Sequence, residues 1–375
     1  MIEIQDIFQE YGADYLKTHR LLPHVHKAVR AIINCRTSAL GGHMDVCECG
    51  YTKISYNSCR NRHCPKCQAL SKERWIMAQT EELLPVPYFH VVFTIPAELN
   101  GIVMQNRELM FNLLFKASQQ TIRELARESK YLGAEIGLTS ILHTWGQNLT
   151  FHPHVHMIVP GGGLTAEGKW KDSRKKFFIP VKVMAKRFRG KFLFYMKQAQ
   201  LTLDGSLDNT KDAKQFHALI QSLYNKDWYV YCKRPFKTTH SVLEYLGRYT
   251  HRVAISNHRI ISNKNGQVCF KYRDYKDNSK EKVMTLTANE FMNRFLLHIL
   301  PPRFTKIRHY GFLASAIKGK KLTLCKKLLG AKNLLTPKEK LNTVELIKML
   351  TGLDVTLCPV CGAKLSRASP NALTA

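Results

Sequence analysis

The fold of this chain is decided by one stretch of sequence, Phe151-His152-Pro153-His154-Val155-His156-Met157-Ile158-Val159. Residues 155–160 are predicted to form a strand, in which residues i and i+2 point to the same side. His154 and His156 should therefore project together while Val155 turns into the core. Two imidazoles leave open positions on a divalent metal ion, which can then polarise a phosphate group. Because His-x-His pairs also arise by chance, the motif needs support from the rest of the sequence.

The flanking sequence offers candidates for a third metal ligand. Residues 138–146 are predicted to form a neighbouring strand, joined to the first through a turn that ends at Pro153. Gln147 precedes this turn, where hairpin pairing would bring its side chain close to the two histidines. His152 is the competing candidate, since it is nearer in sequence but lies in the turn. Of the two, Gln147 is the predicted ligand.

A pair of tyrosines lies about ninety residues further on, in Glu244-Tyr245-Leu246-Gly247-Arg248-Tyr249. Residues 241–251 are predicted to be helical, so Tyr245 and Tyr249, four residues apart, share one face. A phenolate that attacks a DNA phosphate displaces a 3′-hydroxyl and leaves a 5′-phosphotyrosine. The alternative is a packed aromatic pair on an amphipathic helix. The cations Arg248 and Arg252 favour the nucleophile interpretation, because they lie where a phosphate would sit.

Cysteine and histidine are concentrated between residues 43 and 67. The residues concerned are His43, Cys47, Cys49, Cys59, His63, Cys64 and Cys67. Thiolates and imidazoles bind Zn²⁺ in a tetrahedron, and the spacing of Cys64 and Cys67 can place both sulfurs on one ion. Their partners would be either Cys47 with Cys49 or Cys59 with His63. We predict a structural zinc site here, and we expect Arg60 and Arg62 beside it to contact DNA phosphates.

A smaller knuckle, Cys358-Pro359-Val360-Cys361-Gly362, lies near the other end of the sequence. It could form half of another metal site, and Cys325 is a candidate further ligand. In a reducing compartment, clustered cysteines indicate metal binding before they indicate disulfides.

Composition restricts the class of partner. The chain has 375 residues, and 57 Lys+Arg against 28 Asp+Glu give a formal net charge of +29. This excess predicts a polyanionic partner, while 45% hydrophobic residues argue against a tail-like basic protein. The sequence has no apolar run long enough for a membrane span, and its acidic start does not resemble a signal peptide. We therefore expect a cytoplasmic protein with no membrane partner.

Other elements follow from local patterns. Helices are expected over 181–200 and 212–225, and Asn265-Gly266 between two apolar runs predicts a hairpin. Aromatic residues expected to stack on unpaired bases are Tyr88, Trp145 and Tyr272.

As an ordered set, the motifs of this chain resemble those of rolling-circle insertion-sequence transposases of the IS91 type, which are His-hydrophobe-His (HUH) nucleases with paired tyrosines. The resemblance covers nearly the whole chain. It is carried by the stretches Ser55-Tyr56-Asn57-Ser58-Cys59-Arg60-Asn61-Arg62-His63-Cys64-Pro65-Lys66-Cys67, Pro85-Val86-Pro87-Tyr88-Phe89-His90-Val91-Val92-Phe93-Thr94, His152-Pro153-His154-Val155-His156, Tyr245-Leu246-Gly247-Arg248-Tyr249-Thr250-His251-Arg252 and Arg308-His309-Tyr310-Gly311-Phe312.

The resemblance implies an α+β fold, in which an antiparallel-sheet endonuclease domain with flanking helices follows a small helical zinc-binding domain. The expected boundaries are 1–84 for the zinc-binding domain, 85–312 for the nuclease domain and 313–375 for a Lys-rich helical tail that carries the second knuckle. The resemblance also implies cleavage of single-stranded DNA at element ends with Mg²⁺ or Mn²⁺, with Tyr245 and Tyr249 as nucleophiles. The Cys47-Glu48-Cys49-Gly50 knuckle is one residue shorter than the family's usual Cys-x2-Cys-Gly.

Two other functions remain open from the sequence. A plasmid replication initiator or relaxase would use the same chemistry on a plasmid origin. A non-catalytic zinc protein that only binds nucleic acid would need neither tyrosine.

Overall fold

The computed structural model describes residues 2–174, 179–233, 242, 247, 254–275, 277–331 and 341–368. Two compact units divide the chain: one is Met1–Ile2 with Ala69–Leu335, and the other is Glu3–Gln68 with the described part of 336–375. We call them the large unit and the small unit. No helix of the described residues is long and apolar enough to cross a membrane.

The helices and strands alternate irregularly along the chain. The helices are α1 (Ile4–Thr18), α2 (Pro23–Asn34), α3 (Pro65–Glu82), α4 (Asn100–Gln105), α5 (Arg107–Arg127), α6 (Val181–Gln198), α7 (Ala213–Tyr224), α8 (Ala288–Leu296), α9 (Lys318–Leu328) and α10 (Thr343–Thr351). The strands are β1 (Gly42–Val46), β2 (Thr52–Tyr56), β3 (Tyr88–Thr94), β4 (Gly137–Trp145), β5 (Phe151–Pro160), β6 (Gly162–Leu164), β7 (Trp170–Asp172), β8 (Val230–Lys233), β9 (Ile260–Lys264), β10 (Gln267–Asp274), β11 (Lys280–Thr287), β12 (Ile307–Gly311) and β13 (Ser366–Arg367).

The centre of the large unit is a five-stranded antiparallel sheet in the order β12-β4-β5-β3-β8. One face of this sheet is apolar: Val155, Met157 and Val159 of β5 are buried in the main core, which α5 and α6 help to form. Aromatic rings fill this core, and those of Phe93 and Phe188 lie 5.0 Å apart edge to face. Burial of such side chains contributes ~1.5–3 kcal/mol each.

The opposite face of the same sheet holds a smaller apolar cluster. Its buried members are Tyr88, Ile141, Ile158 and Val242. Along β5 this face continues into His156 and His154, because the side chains of a strand alternate between its two sides. The histidines of β5 therefore lie on the face of the sheet opposite the main core.

The small unit packs α1 against α2. Ile4, Ile7 and Phe8 of α1 are buried, as are Val25 and Val29 of α2. Gln5 Nε2 donates to the carbonyl oxygens of Ile33 and Cys35, at 3.0 and 2.7 Å, which fixes α1 to the end of α2. The hairpin β1-β2 gains β13 as a third strand, so residues from both ends of the chain share one sheet.

The predicted α+β class, with an antiparallel sheet and a small zinc-binding region, is confirmed. The predicted domains, 1–84, 85–312 and 313–375, stay a prediction beside these two compact units. Helix α9 buries Leu322 and Cys325 against Leu84 and Phe312 in the large unit, whereas the described residues from 341 onward belong to the small unit. Local sequence pattern carries no information about such pairing between distant segments.

Candidate active site

Three imidazoles converge on the polar face of the five-stranded sheet. The register of β4 and β5 places His143 directly opposite His154, and Ile141 opposite His156. The nitrogen atoms available for binding on His143, His154 and His156 all lie within 4.8 Å of one another. The predicted pair on β5 is therefore joined by a third histidine from the neighbouring strand.

Hydrogen bonds to the Nδ1 atoms orient two of these rings. His154 Nδ1 donates to the carbonyl oxygen of His152 at 2.6 Å, which leaves Nε2 of His154 with its lone pair. Nδ1 of His156 lies 2.9 Å from Nε2 of His90, and the two rings are stacked with their planes 6° apart. When His156 donates in this bond, its Nε2 is likewise the ligand atom. Partners of this kind commonly fix the tautomer of metal-binding histidines.

Burial keeps the imidazoles of His154 and His156 uncharged. Desolvation, assisted by nearby His152, lowers the pKa of His154 to about 3. Desolvation and then the proximity of His143 lower the pKa of His156 well below its usual range. Neutral imidazoles are the form that binds a cation. Three of them fit Mn²⁺ and other first-row transition ions better than Mg²⁺, which prefers oxygen ligands.

Gln147, the predicted third ligand, lies in the turn between the two strands. Gly146 N donates to Thr150 O at 2.9 Å, and this closes a tight turn that takes Gln147 out of the strand. Its side chain donates to the hydroxyl of Tyr275 at 3.2 Å, and its carbonyl accepts from Arg259. The group that strand pairing brings to the histidine pair is His143, which lies four residues before Gln147 in the sequence.

His152, the competing candidate, contributes its carbonyl oxygen to His154, as described above. Of the aromatic residues expected to stack on bases, Tyr88 is buried and accepts a hydrogen bond from Leu84 N, so it cannot stack on a base. Trp145 stacks on His143, with ring centroids 4.5 Å apart, and Lys306 Nζ lies 4.9 Å from its ring. Tyr272 lies on β10, outside the five-stranded sheet.

Tyr245, Tyr249, Arg248 and Arg252 lie outside the described residues. Two described neighbours in sequence belong to the large unit. Val242 is buried on the polar face of the sheet, in the cluster with Tyr88, Ile141 and Ile158. Gly247 lies so close to Ile76 that a Cβ added to the glycine would lie 2.3 Å from Cδ1 of Ile76.

A four-cysteine cluster lies in the small unit. Its members are Cys35, Cys59, Cys64 and Cys67, with all four sulfurs within 4.8 Å of one another. Cys67 Sγ is 3.6 Å from the sulfurs of both Cys35 and Cys59. Four thiolates at such distances fit a structural zinc site.

The composition of this cluster departs from both predicted arrangements. Among the described residues it contains Cys35, at the end of α2, in the place predicted for His63. Cys47 and Cys49 group instead with Cys358 and Cys361. Cys325 is buried in an apolar cluster of the large unit and belongs to neither group. His43 forms an ion pair with Asp45 at 3.4 Å when it is protonated.

The chain is similar to transposases. A family model described as a putative transposase matches residues 137–321, and one described as a transposase zinc-binding domain matches residues 7–95. A putative transposase, y4qJ, of Sinorhizobium fredii (strain NBRC 101917 / NGR234) is 42% identical over 371 residues, which cover 96% of this chain and 92% of that protein. The transposase for insertion sequence element IS801 of Pseudomonas savastanoi pv. phaseolicola is 29% identical over 352 residues, covering 90% and 82%. No solved structure matches.

Proposed function

Because this chain belongs to the IS91-type family of insertion-sequence transposases, with the family's N-terminal zinc-binding domain, we propose that it cleaves and rejoins single-stranded DNA at element ends. Transposases cut DNA and transfer strands, so the chain is an enzyme that acts on DNA. The finer proposal is rolling-circle chemistry through 5′-phosphotyrosine intermediates. The observation that carries it is the cluster of three histidine imidazoles on an antiparallel sheet.

His143, His154 and His156 would hold the catalytic ion, which we propose to be Mn²⁺ or Mg²⁺. A divalent ion bound there supplies electrophilic polarisation of the scissile phosphate. The protein contributes the orientation of the ligands. The carbonyl of His152 holds one ring, His90 holds a second, and Trp145 packs flat against the third.

Tyr245 and Tyr249 are the proposed nucleophiles. A tyrosine oxygen forms a bond to phosphorus while the bond from phosphorus to the 3′ oxygen breaks, and the departing oxygen takes up a proton to become a 3′-hydroxyl. Attack by a 3′-hydroxyl on the phosphotyrosine reverses these changes and rejoins the strand. Support comes from Val242, three residues before Tyr245 in the sequence, which packs on the sheet face that bears the imidazoles.

Unpaired DNA is the proposed substrate because aromatic and cationic groups flank the imidazoles. Trp145 with Lys306 lies on one side. On the other side Tyr231, 41% exposed, lies edge-on to His90 at 6.2 Å. Stacking on aromatic rings combined with phosphate-binding cations is how single strands are commonly held. Arg60, Arg62, Arg248 and Arg252 are the proposed phosphate contacts, and the cytoplasm, on the nucleoid, is the proposed location.

A labelled single-stranded oligonucleotide that carries an element end tests the proposal. It is incubated with protein and Mn²⁺ and resolved on a denaturing gel. We expect a protein-linked band in the wild type, loss of that band in the Tyr245→Phe/Tyr249→Phe double variant, and loss in His154→Ala. Tyr224→Phe, which alters an exposed tyrosine of α7, is the matched control and should keep the band.

Binding of the oligonucleotide without any protein-linked band would favour the non-catalytic DNA-binding function. A protein-linked band formed equally well by the double variant would contradict Tyr245 and Tyr249 as nucleophiles. A plasmid initiator or relaxase would give the same band, and family membership favours the transposase over it.

A further inference from the structure

We propose that Cys47, Cys49, Cys358 and Cys361 bind a second zinc ion, which clasps the C-terminal segment of the chain into the small unit. The matched zinc-binding domain ends at residue 95, so it contains only half of this group. All four sulfurs lie within 4.8 Å of one another. We call this group the clasp. The inference goes beyond the proposed DNA chemistry and does not depend on it.

The sulfur separations are those of ligands around one small ion. Cys47 Sγ lies 3.4 Å from Cys361 Sγ, and Cys49 Sγ lies 3.6 Å from Cys358 Sγ. Sulfurs held at about 2.3 Å from a common tetrahedral centre are about 3.8 Å apart. Both observed distances lie within about 0.4 Å of that value, so small adjustments of the sulfur positions are sufficient to hold the ion.

Each half of the clasp is a tight turn closed by a glycine. Gly50 N donates to Cys47 O and Gly362 N donates to Cys358 O, both at 2.9 Å. Both glycines have positive φ, +87° and +77°, which side-chain-bearing residues rarely adopt. Val360 N also points at Cys358 Sγ, at 3.4 Å. An N–H aimed at sulfur favours the thiolate, the form of cysteine that binds metal.

Only one residue separates Cys47 from Cys49, yet both of their sulfurs lie next to a sulfur of the Cys358–Cys361 pair. Cys47 N donates to Tyr51 O at 2.9 Å, which places the knuckle at the tip of the β1-β2 hairpin. From that tip, Cys47 and Cys49 each reach one cysteine of the distant knuckle. A knuckle that is one residue shorter than the usual family pattern can therefore still bind one ion together with Cys358 and Cys361.

The C-terminal segment has little else to hold it. Its backbone pairs Val46 with Ser366 and Asp45 with Arg367, and Ala368 N donates to Met44 O. Of the large aliphatic side chains in the described residues 341–368, Leu346 is the one that is buried, and five face solvent: Met349, Leu350, Leu353, Leu357 and Val360. A segment that buries so little apolar surface needs another source of stability, and metal binding is a common one in small units.

The test is zinc content per full-length chain, measured by mass spectrometry of the metal after purification under reducing conditions. In a His154→Ala background, in which the imidazole cluster has lost a ligand and takes up no zinc, we expect two zinc ions with all cysteines intact and one in Cys358→Ser/Cys361→Ser. Cys59→Ser/Cys64→Ser should also keep one, since it removes the other cluster. Cys269→Ser, on β10 outside both clusters, is the control and should keep two.

Limited proteolysis is a second test, and its first comparison uses only the wild-type protein, so it does not require that every variant folds. In the wild type, chelation of zinc should expose residues 341–368 to cleavage, and added zinc should restore protection. In Cys358→Ser/Cys361→Ser the segment should be cut with zinc present. In the His154→Ala background, one zinc per chain with all cysteines intact, two in the clasp variant, or disulfides joining Cys47 to Cys361 and Cys49 to Cys358 would each overturn the inference.

Discussion

The chemistry of single residues begins with His143. It lies opposite His154 across the β4-β5 ladder, and its ring centroid is 4.3 Å from that of His156. This third imidazole would give the proposed metal ion a third protein ligand, and other positions would be left for substrate oxygen and water.

His143→Ala should weaken Mn²⁺ binding by more than tenfold, because a third of the ligand set is lost. Isothermal titration of the purified protein with Mn²⁺ measures the affinity directly. Gln147→Ala is the comparison and should bind as the wild type does, since its side chain bonds to Tyr275. If both variants lost the same Mn²⁺ affinity, Gln147 would count as a metal ligand as well.

His90 is a positioning residue for the same site. Its Nε2 holds Nδ1 of His156 at 2.9 Å, so removing it should release the tautomer and the ring orientation. We expect His90→Ala to weaken Mn²⁺ binding by about 10- to 100-fold. His90→Gln, which keeps a hydrogen-bonding group there, should recover part of the loss. If His90→Ala bound Mn²⁺ as tightly as the wild type, His90 would have only a packing role.

His298 gives the large unit a pH-dependent stability. Its Nε2 donates to Leu149 O and its Nδ1 accepts from Thr144 Oγ1, both at 3.1 Å, so the neutral ring is fully bonded. Burial lowers its pKa to about 3. Between about pH 6.5 and pH 3 this histidine is protonated in the unfolded chain but neutral in the folded chain. The unfolding free energy therefore falls as the pH falls through this range.

From pH 7 to pH 5 this single group should remove about 1–2 kcal/mol from the unfolding free energy. Urea unfolding at the two pH values measures the loss. In His298→Gln, with its lower overall stability, the loss between the two pH values should be smaller by that amount. The same pH dependence in both proteins would contradict a neutral buried His298.

At the scale of elements, the edge strand β12 is fixed by a pair of glycines. Gly137 of β4 lies opposite Gly311 of β12. A Cβ on Gly137 would lie 2.5 Å from the ring of Phe312, and one on Gly311 would lie 1.7 Å from Ile136 O, at φ +62°. No side-chain rotation relieves a contact with backbone, so β12 can dock on β4 only with glycine at position 311.

Gly311→Ala should therefore lower the unfolding free energy by about 2 kcal/mol or more, since it combines steric overlap with a positive φ. Thermal unfolding measures the effect. Gly319→Ala in α9 is the matched control, because an added methyl group there meets nothing within 4 Å and suits a helix. A Gly311→Ala protein with the wild-type melting temperature would contradict this strand docking.

Elements with a strong local signal were predictable from the sequence. The helices expected over 181–200 and 212–225 form as α6 and α7, and α7 begins where Asp212 accepts from Lys214 N and Gln215 N. The Asn265-Gly266 hairpin is confirmed, with φ of +52° and +71° at its two residues. The strands that bear the histidines are also confirmed.

The candidate sites were only partly predictable, because they depend on pairing between segments. His143 was visible in a predicted strand, but only the register of β4 on β5 shows that it faces His154 rather than the main core. Cys35 joins its cluster through the end of α2, and Cys358 meets Cys49 across 309 residues. Spacing rules describe ligands that are neighbours in sequence, so one predicted arrangement contained His63 and neither contained Cys35, while Cys358 and Cys361 were predicted as half of another site.

For the whole molecule, charge governs affinity for DNA. A formal net charge of +29 spread over 375 residues means that binding neutralises many phosphates and releases their counterions. We expect the association constant for a single-stranded oligonucleotide to fall by roughly 10³-fold or more between 50 and 200 mM salt. Fluorescence anisotropy at several salt concentrations measures the slope. A nearly flat slope would mean that base stacking, rather than phosphate contact, dominates binding.

The strand pairing of β13 with β1 also sets an order of events during synthesis. The hairpin β1-β2 leaves the ribosome early, but its third strand is the last described element of the chain. The large unit can fold in between, since all of it except its first two residues emerges as one uninterrupted block, Ala69–Leu335. A nascent transposase therefore stays incomplete at its zinc-binding end until residue 368 has been released. A message cut short by a premature stop codon would yield a protein with a nuclease sheet but an unfinished small unit.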